Sequence, residues 1–478
     1  MRGGLWTGTG CQVYNDQRHY APLYLPDGVV EQDPQTWLTA LIELTQGAVQ
    51  FARVESDQIE AVSITAQRSS VIPVDSGGIA LSNCMMWQDR RGQDICDRLT
   101  PYAATIYQKC GARPTTVFLG PKISWFQEKR PDIYRRAAKF VAIPDLLIAF
   151  ITGRFVTDTT YASRSLLMNL RSLTWDEELL RLLNIDKAKL SEIVAPGSIV
   201  GNSCASFRTL TELKSGTPVI SAGGDQQCAA LGAGTLEEGR IQINTGTGSF
   251  VIASSDSLRL HPDMAVTCGC SAIPGKFVLE ASILTTAAIY RWFKQEFYRK
   301  DGYEEINHDA GSSPIGANGL VLLPHFQGRG SPDWNSRSGG TFFNLNLGTT
   351  RGDMARAILE GIAAEIAENI EILDKLIERT CEITAAGGLT KASIFNQIQA
   401  DMYGRNVNLG INSEASLFGA WISAAVGVGL YPDYKSAKEA STHGEITPVV
   451  APIFANTAKY QELRGLQVAL YKALCTVG

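Results

Sequence analysis

Beyond Asp33, apolar residues fall at Trp37, Leu41, Leu44, Ala48 and Phe51, a spacing that lines one face of a helix. Asp33 stands where an N-cap accepts free amides, and Pro34 stands at the first helical position, where proline costs nothing. The period then shortens. "IEAVSITAQ" has the β-branched character of a strand, and strands alternate with helices as far as "TPVISAGG", the order expected of an α/β layer. In the second half, "RIQINTGTGSFVIASS" reads as two β arms around a Gly-Thr turn. Ile358, Ile362, Ile366, Ile370, Leu373 and Ile377 mark a long helix, opened by Thr350 with Asp353 three residues on. A strand, "EITAAGG", and a helix within "ASIFNQIQADMYG" follow.

Length and composition narrow what this pattern builds. The chain has 478 residues, more than one hydrophobic core usually supports. Its halves resemble two copies of one α/β unit, which predicts domains at 1–234 and 235–478 with a boundary near 233 to 240 and a ligand site in the cleft between them. At 45% hydrophobic and 19% charged the chain is not disordered. A net charge of −5 without a basic stripe argues against nucleic acid or anionic membrane as partner. A small molecule is the expected ligand. Ten cysteines lack any C-x-x-C pair, and only Cys268 and Cys270 lie close together, so free thiols in a reducing cytoplasm are expected. The most apolar stretch, "FVAIPDLLIAFITG", is short and broken by Pro144 and Asp145, so no membrane span and no export signal are expected. A homodimer or higher homo-oligomer is compatible with the sequence, which does not choose among states.

Four places carry candidate chemistry. In "GGDQQCAALGAG" a strand ends at Gly223 and Gly224 and presents Asp225 at its carboxyl tip, where an α/β sheet opens its crevice and a carboxylate can take a hydroxyl proton. The bland alternative is a helix cap. The turn Thr245-Gly246-Thr247-Gly248 offers bare amides and two hydroxyls to phosphate oxygens, or is simply a hairpin. Gly387 and Gly388 admit flat approach of a ring to the backbone, or serve a tight βα turn. Gln67, Arg68, Trp87, Asp89 and Arg90 can orient and cover a polyol chain, or spend their charges in surface ion pairs.

Taken in order, "ITAQRSSV", "MWQDRR", "ITGRFVTDTTYASRSLLMNLRSLTWDEELLRLL", "GGDQQCAALG", "NTGTGSF", "LPHFQGRGSPDW", "TTRGDMARAILEGIA" and "AAGGLTKASIFNQIQADMYGRNV" resemble the FGGY carbohydrate kinases, most closely their glycerol kinase branch, from about Cys11 onward. The resemblance implies two actin-like (ribonuclease H-like) α/β domains with a central interdomain cleft. It also implies transfer of the γ-phosphoryl group of ATP, with Mg2+, to a hydroxyl of a small sugar, polyol or sugar acid. By position it makes Asp225 the catalytic base and places Gln67, Arg68, Ser69, Trp87, Val117 and Gln226 at the acceptor. Arg2, Thr245, Gly246, Thr247, Gly248, Gly387, Gly388 and Asn396 fall to the nucleotide. No metal ligand is assigned. Two positions depart from the branch: Ser69 stands where glycerol kinases continue Gln-Arg with a glutamate, and Val117 where they carry a tyrosine. Losing a carboxylate and a phenol enlarges the pocket and removes hydrogen-bond partners for a three-carbon polyol, which disfavours glycerol.

The opening "MRGGLWTGTG" fits the family from its arginine onward, as the second arm of a hairpin. On that resemblance the first strand and its phosphate loop, on the order of ten to twenty residues, are absent, and "TGTG" at residues 7 to 10 is a turn and not a second phosphate loop. Either Met1 is internal to a longer enzyme, or the chain is a catalytically impaired homologue acting as a ligand-binding regulator or scaffold. A chaperone-like or filament-forming ATPase on the same fold is a third class, against which "MWQDRR" and "GGDQQ" speak.

Overall fold

The helix expected after Asp33 runs Pro34–Phe51 and buries Trp37, Leu41 and Leu44. The Asp33 carboxylate accepts the Gln35 amide at 2.9 Å, a cap worth about 1 kcal/mol. The computed structural model describes residues 1–51, 58–235, 237–377, 382–410, 414–441 and 447–475. Its first half holds the parallel pair Val62–Ala66 and Pro218–Gly224, with Ile199–Asn202 antiparallel on the far side. Ile143–Thr152 packs against all three of these strands, and Ala415–Gly427 against the parallel pair.

The second half is built on a seven-stranded sheet in the order Thr267–Cys270, Phe277–Ile283, Ser249–Ser255, Arg240–Thr245, Glu382–Gly387, Val407–Leu409, Val449–Val450. Against it packs the helix Arg351–Leu376, opened by the expected reciprocal pair: the Thr350 hydroxyl accepts the Asp353 amide and Asp353 accepts the Thr350 amide. Ile377 caps this helix and does not extend it. Ile358, Ile362, Ile366, Ile370 and Leu373 enter the largest core cluster together with Ile241, Ile243 and Val251 of the sheet.

The first half divides its strands among several two- and three-stranded sheets. Arg240–Thr245 pairs with Ser249–Ser255 on one side and Glu382–Gly387 on the other. Among the described residues, Arg2–Trp6 pairs with Gln12–Gln17 alone and Val62–Ala66 with Pro218–Gly224 alone, and no strand joins these two sets. Thr7–Gly10 forms the hairpin turn, with the Gly10 amide on the Thr7 carbonyl at 3.0 Å. The hairpin leans instead on the helix Ala415–Gly427, where Trp6 lies 5.6 Å from Phe418 and the Trp421 indole donates to the Thr7 carbonyl at 3.1 Å. The same helix crosses Asp225–Gly232 at backbone contact: a Cβ on Gly419 would sit 1.9 Å from the Cys228 carbonyl oxygen. Only glycine permits that approach.

Candidate active site

Because Val62–Ala66 and Pro218–Gly224 are parallel, with Gly224 opposite Ala66, the residues that follow each strand emerge side by side at the carboxyl edge. These are Arg68 and Asp225, whose Nε and Oδ1 lie 3.8 Å apart. Tyr161 fastens the two strand tips, its hydroxyl accepting the Ala66 amide at 2.9 Å and donating to the Gly223 carbonyl at 2.7 Å. Asp225 opens the helix Asp225–Gly232, and the Gln226 amide donates to its Oδ1 at 2.8 Å. The Asp225 side chain is 34% exposed. Burial pushes its carboxyl above the ordinary range, against the pull of Arg68 and the Gln226 amide; the open third makes that push partial.

Arg68 continues into a buried cluster. Its Nη1 donates to Glu280 Oε2 at 2.9 Å, and the other Glu280 oxygen faces Arg164 Nη2 at 3.2 Å. Glu280 lies on the second-half strand Phe277–Ile283, so this ion triad joins the halves. Burial works against charge on Glu280, but the two guanidinium groups outweigh it and hold the carboxyl below the usual range. Burial lowers Arg164 to about 10 despite Glu280. Arg164 also sits 4.9 Å over the Phe118 ring.

Ser69 and Phe118, the residue after Val117, both touch Arg164. Ser69, with φ of +71° and 2% exposure, donates to the Arg164 carbonyl at 3.4 Å. Val117 precedes Phe118, and buried Lys122 donates to its carbonyl at 2.6 Å. Gln67 and Trp87 meet at Ser70, whose Oγ accepts the Gln67 Nε2 at 3.2 Å and the Trp87 amide at 3.1 Å. The Trp87 side of this group is open, at 38% exposure. Asp89 is consumed by structure: it accepts the Val30 amide and pairs with Arg91.

The glycine-rich elements converge at the other sheet. Thr245 and Gly387 are opposite each other in parallel register, which brings the turn Gly246–Gly248 beside Gly387 and Gly388. Gly246, Thr247, Gly387 and Gly388 are exposed. The Thr286 amide donates to the Thr247 carbonyl at 2.9 Å and the Ala287 amide to the Gly246 carbonyl at 3.1 Å, which fixes the turn on the helix Ala287–Phe297. A Cβ on Gly388 would meet nothing within 4 Å. Exposed backbone without side chains suits a polyphosphate and a flat ring. Three residues assigned to ligands lie elsewhere or inward. Thr245 is fully buried with no partner for its hydroxyl, Asn396 is 5% exposed and donates to the Thr390 carbonyl, and Arg2 pairs with Glu414 on the hairpin. Gln226 Oε1 is buried without a partner. Among the described residues no group of three or more His, Cys, Asp or Glu is placed to hold a metal ion, and no helix is long and apolar enough to cross a membrane.

Residues 8–232 match the N-terminal domain of the FGGY family of carbohydrate kinases, and residues 241–428 match its C-terminal domain. The chain belongs to the FGGY family. The glycerol kinase of Thermococcus kodakarensis is 30% identical over 442 residues, which cover 90% of this chain and 86% of that protein. The xylulose kinase of Staphylococcus epidermidis is 27% identical over 447 residues, 93% of this chain and 89% of that one. The solved gluconate kinase from Lactobacillus acidophilus matches with a TM-score of 0.93 and 25% identity, covering 99% of this chain and 95% of its own. As an FGGY kinase with the two-domain actin-like fold, the chain is a phosphotransferase with an alcohol acceptor, acting in carbohydrate metabolism on a small sugar, polyol or sugar acid. The family is ATP-dependent.

Arg164 and Glu280, which the structure ties to Arg68, are not among the residues singled out from the sequence. A signal was present: "FVLEASI" sets one glutamate in an apolar strand, and a buried carboxylate needs a cationic partner.

Proposed function

We propose that this FGGY kinase phosphorylates a sugar or sugar acid longer than glycerol, with Asp225 as the base that removes the acceptor hydroxyl proton. Residues 1–234 form the acceptor-binding domain and residues 235–478 the nucleotide-binding domain. The observation that carries the reading is the meeting of Asp225 and Arg68 at the carboxyl edge of two parallel strands, 3.8 Å apart. Burial raises the Asp225 carboxyl and so makes the carboxylate a stronger base than a solvated one. Arg68 keeps it ionised and oriented. Trp87 offers an exposed ring to a carbon chain, and Gln67 shares its Ser70 anchor.

ATP supplies the phosphoryl group, and Mg2+ offsets the charge on its phosphates. Gly246, Thr247 and Gly248 would hold the phosphates and Gly387 and Gly388 the base, while Thr245, Asn396 and Arg2 act at most through the loops they support. No side chain is assigned to Mg2+, an ion that usually keeps several waters and rides on substrate phosphates. A longer acceptor is supported by the residue types at Ser69 and Val117, where the glycerol branch carries a glutamate and a tyrosine; Ser69 touches Arg164. A cytoplasmic location is supported by the nine described cysteines, all free thiols.

The test is turnover with MgATP across glycerol, pentuloses, hexoses and aldonates, repeated with Asp225→Asn. A missing general base costs about two to four orders of magnitude in kcat. Full activity in the variant rejects the base, and glycerol as the best acceptor rejects the substrate class.

A further inference from the structure

The Glu280 carboxylate is 2% exposed and belongs to neither glycine-rich loop, yet it ties together the two parts of the site. Through Arg68 it reaches Asp225; through its own strand it reaches the phosphate turn. Phe277–Ile283 pairs with Ser249–Ser255 with Ile283 opposite Ser249, and the Ile283 carbonyl oxygen lies 2.5 Å from where a Gly248 Cβ would stand. Glu280 and Ile283 are three positions apart on the strand, about 10 Å. A single strand therefore carries the anchor of the base cluster at its middle and the wall of the turn at its carboxyl end.

We propose that Glu280 is a positioning residue: it holds Arg68 back from full pairing with Asp225 and fixes both in register with the Gly246–Gly248 turn. This rests on Asp225 being the base. Arg68 donates to Glu280 at 2.9 Å but stands 3.8 Å from Asp225, so the competition between the two carboxylates is decided in favour of Glu280. A direct bidentate pair with Arg68 would lower the basicity of Asp225 and occupy the oxygens that must face the acceptor. Arg164 takes the second Glu280 oxygen at 3.2 Å and limits how strongly Glu280 draws on Arg68. The charged and titratable groups around Asp225 are Arg68, Arg164, Glu280, Tyr161 and Cys228. Burial pushes the Tyr161 hydroxyl and the Cys228 thiol up, so those two stay neutral and, beside the fixed Gln226 amide, the charges of the ion triad tune the carboxylate.

Two variants push in opposite directions. Glu280→Gln frees Arg68 to pair with Asp225: the acidic limb of the kcat/KM profile moves to lower pH by about one unit, and the plateau falls roughly tenfold to a hundredfold. Arg164→Gln leaves Glu280 to Arg68 alone and removes a positive neighbour of Asp225, so the limb moves to higher pH. Glu280→Asp, which keeps the charge, leaves the limb where it is in the wild type while lowering the plateau. A limb that stays fixed in Glu280→Gln and Arg164→Gln, or moves the same way in both, overturns the proposal. If Glu280→Gln does not fold, the upward shift in Arg164→Gln decides alone. Asp225→Asn, run alongside, separates the failures: retained turnover there rejects the base, whereas lost turnover with unmoved limbs rejects only Glu280.

Discussion

Gly387 and Gly388 are neighbours, and alanine has different consequences at each. Gly387 has φ of +107°, and a Cβ there would lie 2.4 Å from the Thr245 carbonyl oxygen and 2.8 Å from its carbonyl carbon and amide nitrogen. All three atoms are backbone in the central strand, so no side chain can swing aside. Strain of this kind costs about 1–3 kcal/mol, roughly 2–10 °C in melting temperature for a domain of this size. At Gly388 the same methyl meets no heavy atom within 4 Å, and a compatible Gly→Ala exchange changes stability by at most about 1 kcal/mol, in the favourable direction. In the proposed nucleotide site, what it meets is the ligand. If a nucleotide base lies flat on this backbone at a contact distance of about 3.5–4 Å, a Cβ projecting about 1.5 Å into that gap forces the ring away. A displaced ring raises KM for ATP about tenfold, or 1.4 kcal/mol, and leaves kcat within about twofold. The assay pairs steady-state kinetics in ATP with thermal unfolding on each variant. An ATP KM within twofold of wild type in Gly388→Ala would show that the base does not lie there, and a Gly387→Ala protein as stable as wild type would refute the close-approach argument.

Gly419→Ala, with its Cβ 1.9 Å from the Cys228 carbonyl oxygen, should part the helices Asp225–Gly232 and Ala415–Gly427 and lower both melting temperature and kcat; a roughly 1 Å displacement of Asp225 is enough for about a hundredfold loss. Asp176 works against burial yet is held at about 2 by Asn169, Lys109 and the amides it caps. Its folded value lies below its unfolded one, so it adds about 2 kcal/mol at neutral pH that fades as pH falls from about 4 toward 2; denaturant melts of Asp176→Asn against wild type should show that gap and its narrowing. Ser69→Glu with Val117→Tyr should shift the kcat/KM ratio toward glycerol by roughly tenfold to a hundredfold, and an unchanged ratio would detach these positions from acceptor choice.

Elements with a strong local cause were legible in the sequence. The helices Pro34–Phe51 and Arg351–Leu376 carry both an apolar face and a capping acid, two signals that agree. The strand-end positions of Asp225 and of the Gly246–Gly248 turn are legible because glycines mark strand ends. What the sequence withheld is contact between distant residues. Arg68 and Glu280 are 212 positions apart, and no local period relates them. The burial of Thr245 and Asn396 is illegible for the same reason: a motif gives position along the strand or helix, whereas whether the side chain faces solvent or core depends on what packs against that face. The Asp89–Arg91 pair, which resembled a surface ion pair, is half inside, because Asp89 also accepts the Val30 amide at 2.8 Å.

The two sheets put opposite chemistry at the same topological place. Val62–Ala66 with Pro218–Gly224, and Arg240–Thr245 with Glu382–Gly387, are both parallel pairs whose carboxyl ends lie side by side. In the first pair those ends lead into Arg68 and Asp225; in the second they lead into Gly246 and Gly388. On the proposed roles, the difference follows from the charges of the two reactants. A neutral hydroxyl needs a carboxylate to take its proton, whereas a triphosphate is repelled by any carboxylate and is best met by amide N–H groups that carry no side chain. A chain with a net charge of −5 has to keep its acids away from the phosphates, and the triad does this for the one acid that must stand nearby. Glu280 and Asp225 face Arg68 and Arg164, two negative charges against two positive, so the site is close to neutral where acceptor and donor meet. Removing either arginine would weaken the opposition to a buried carboxylate of this cluster, so on the proposed roles the cluster serves the chemistry as well as the fold.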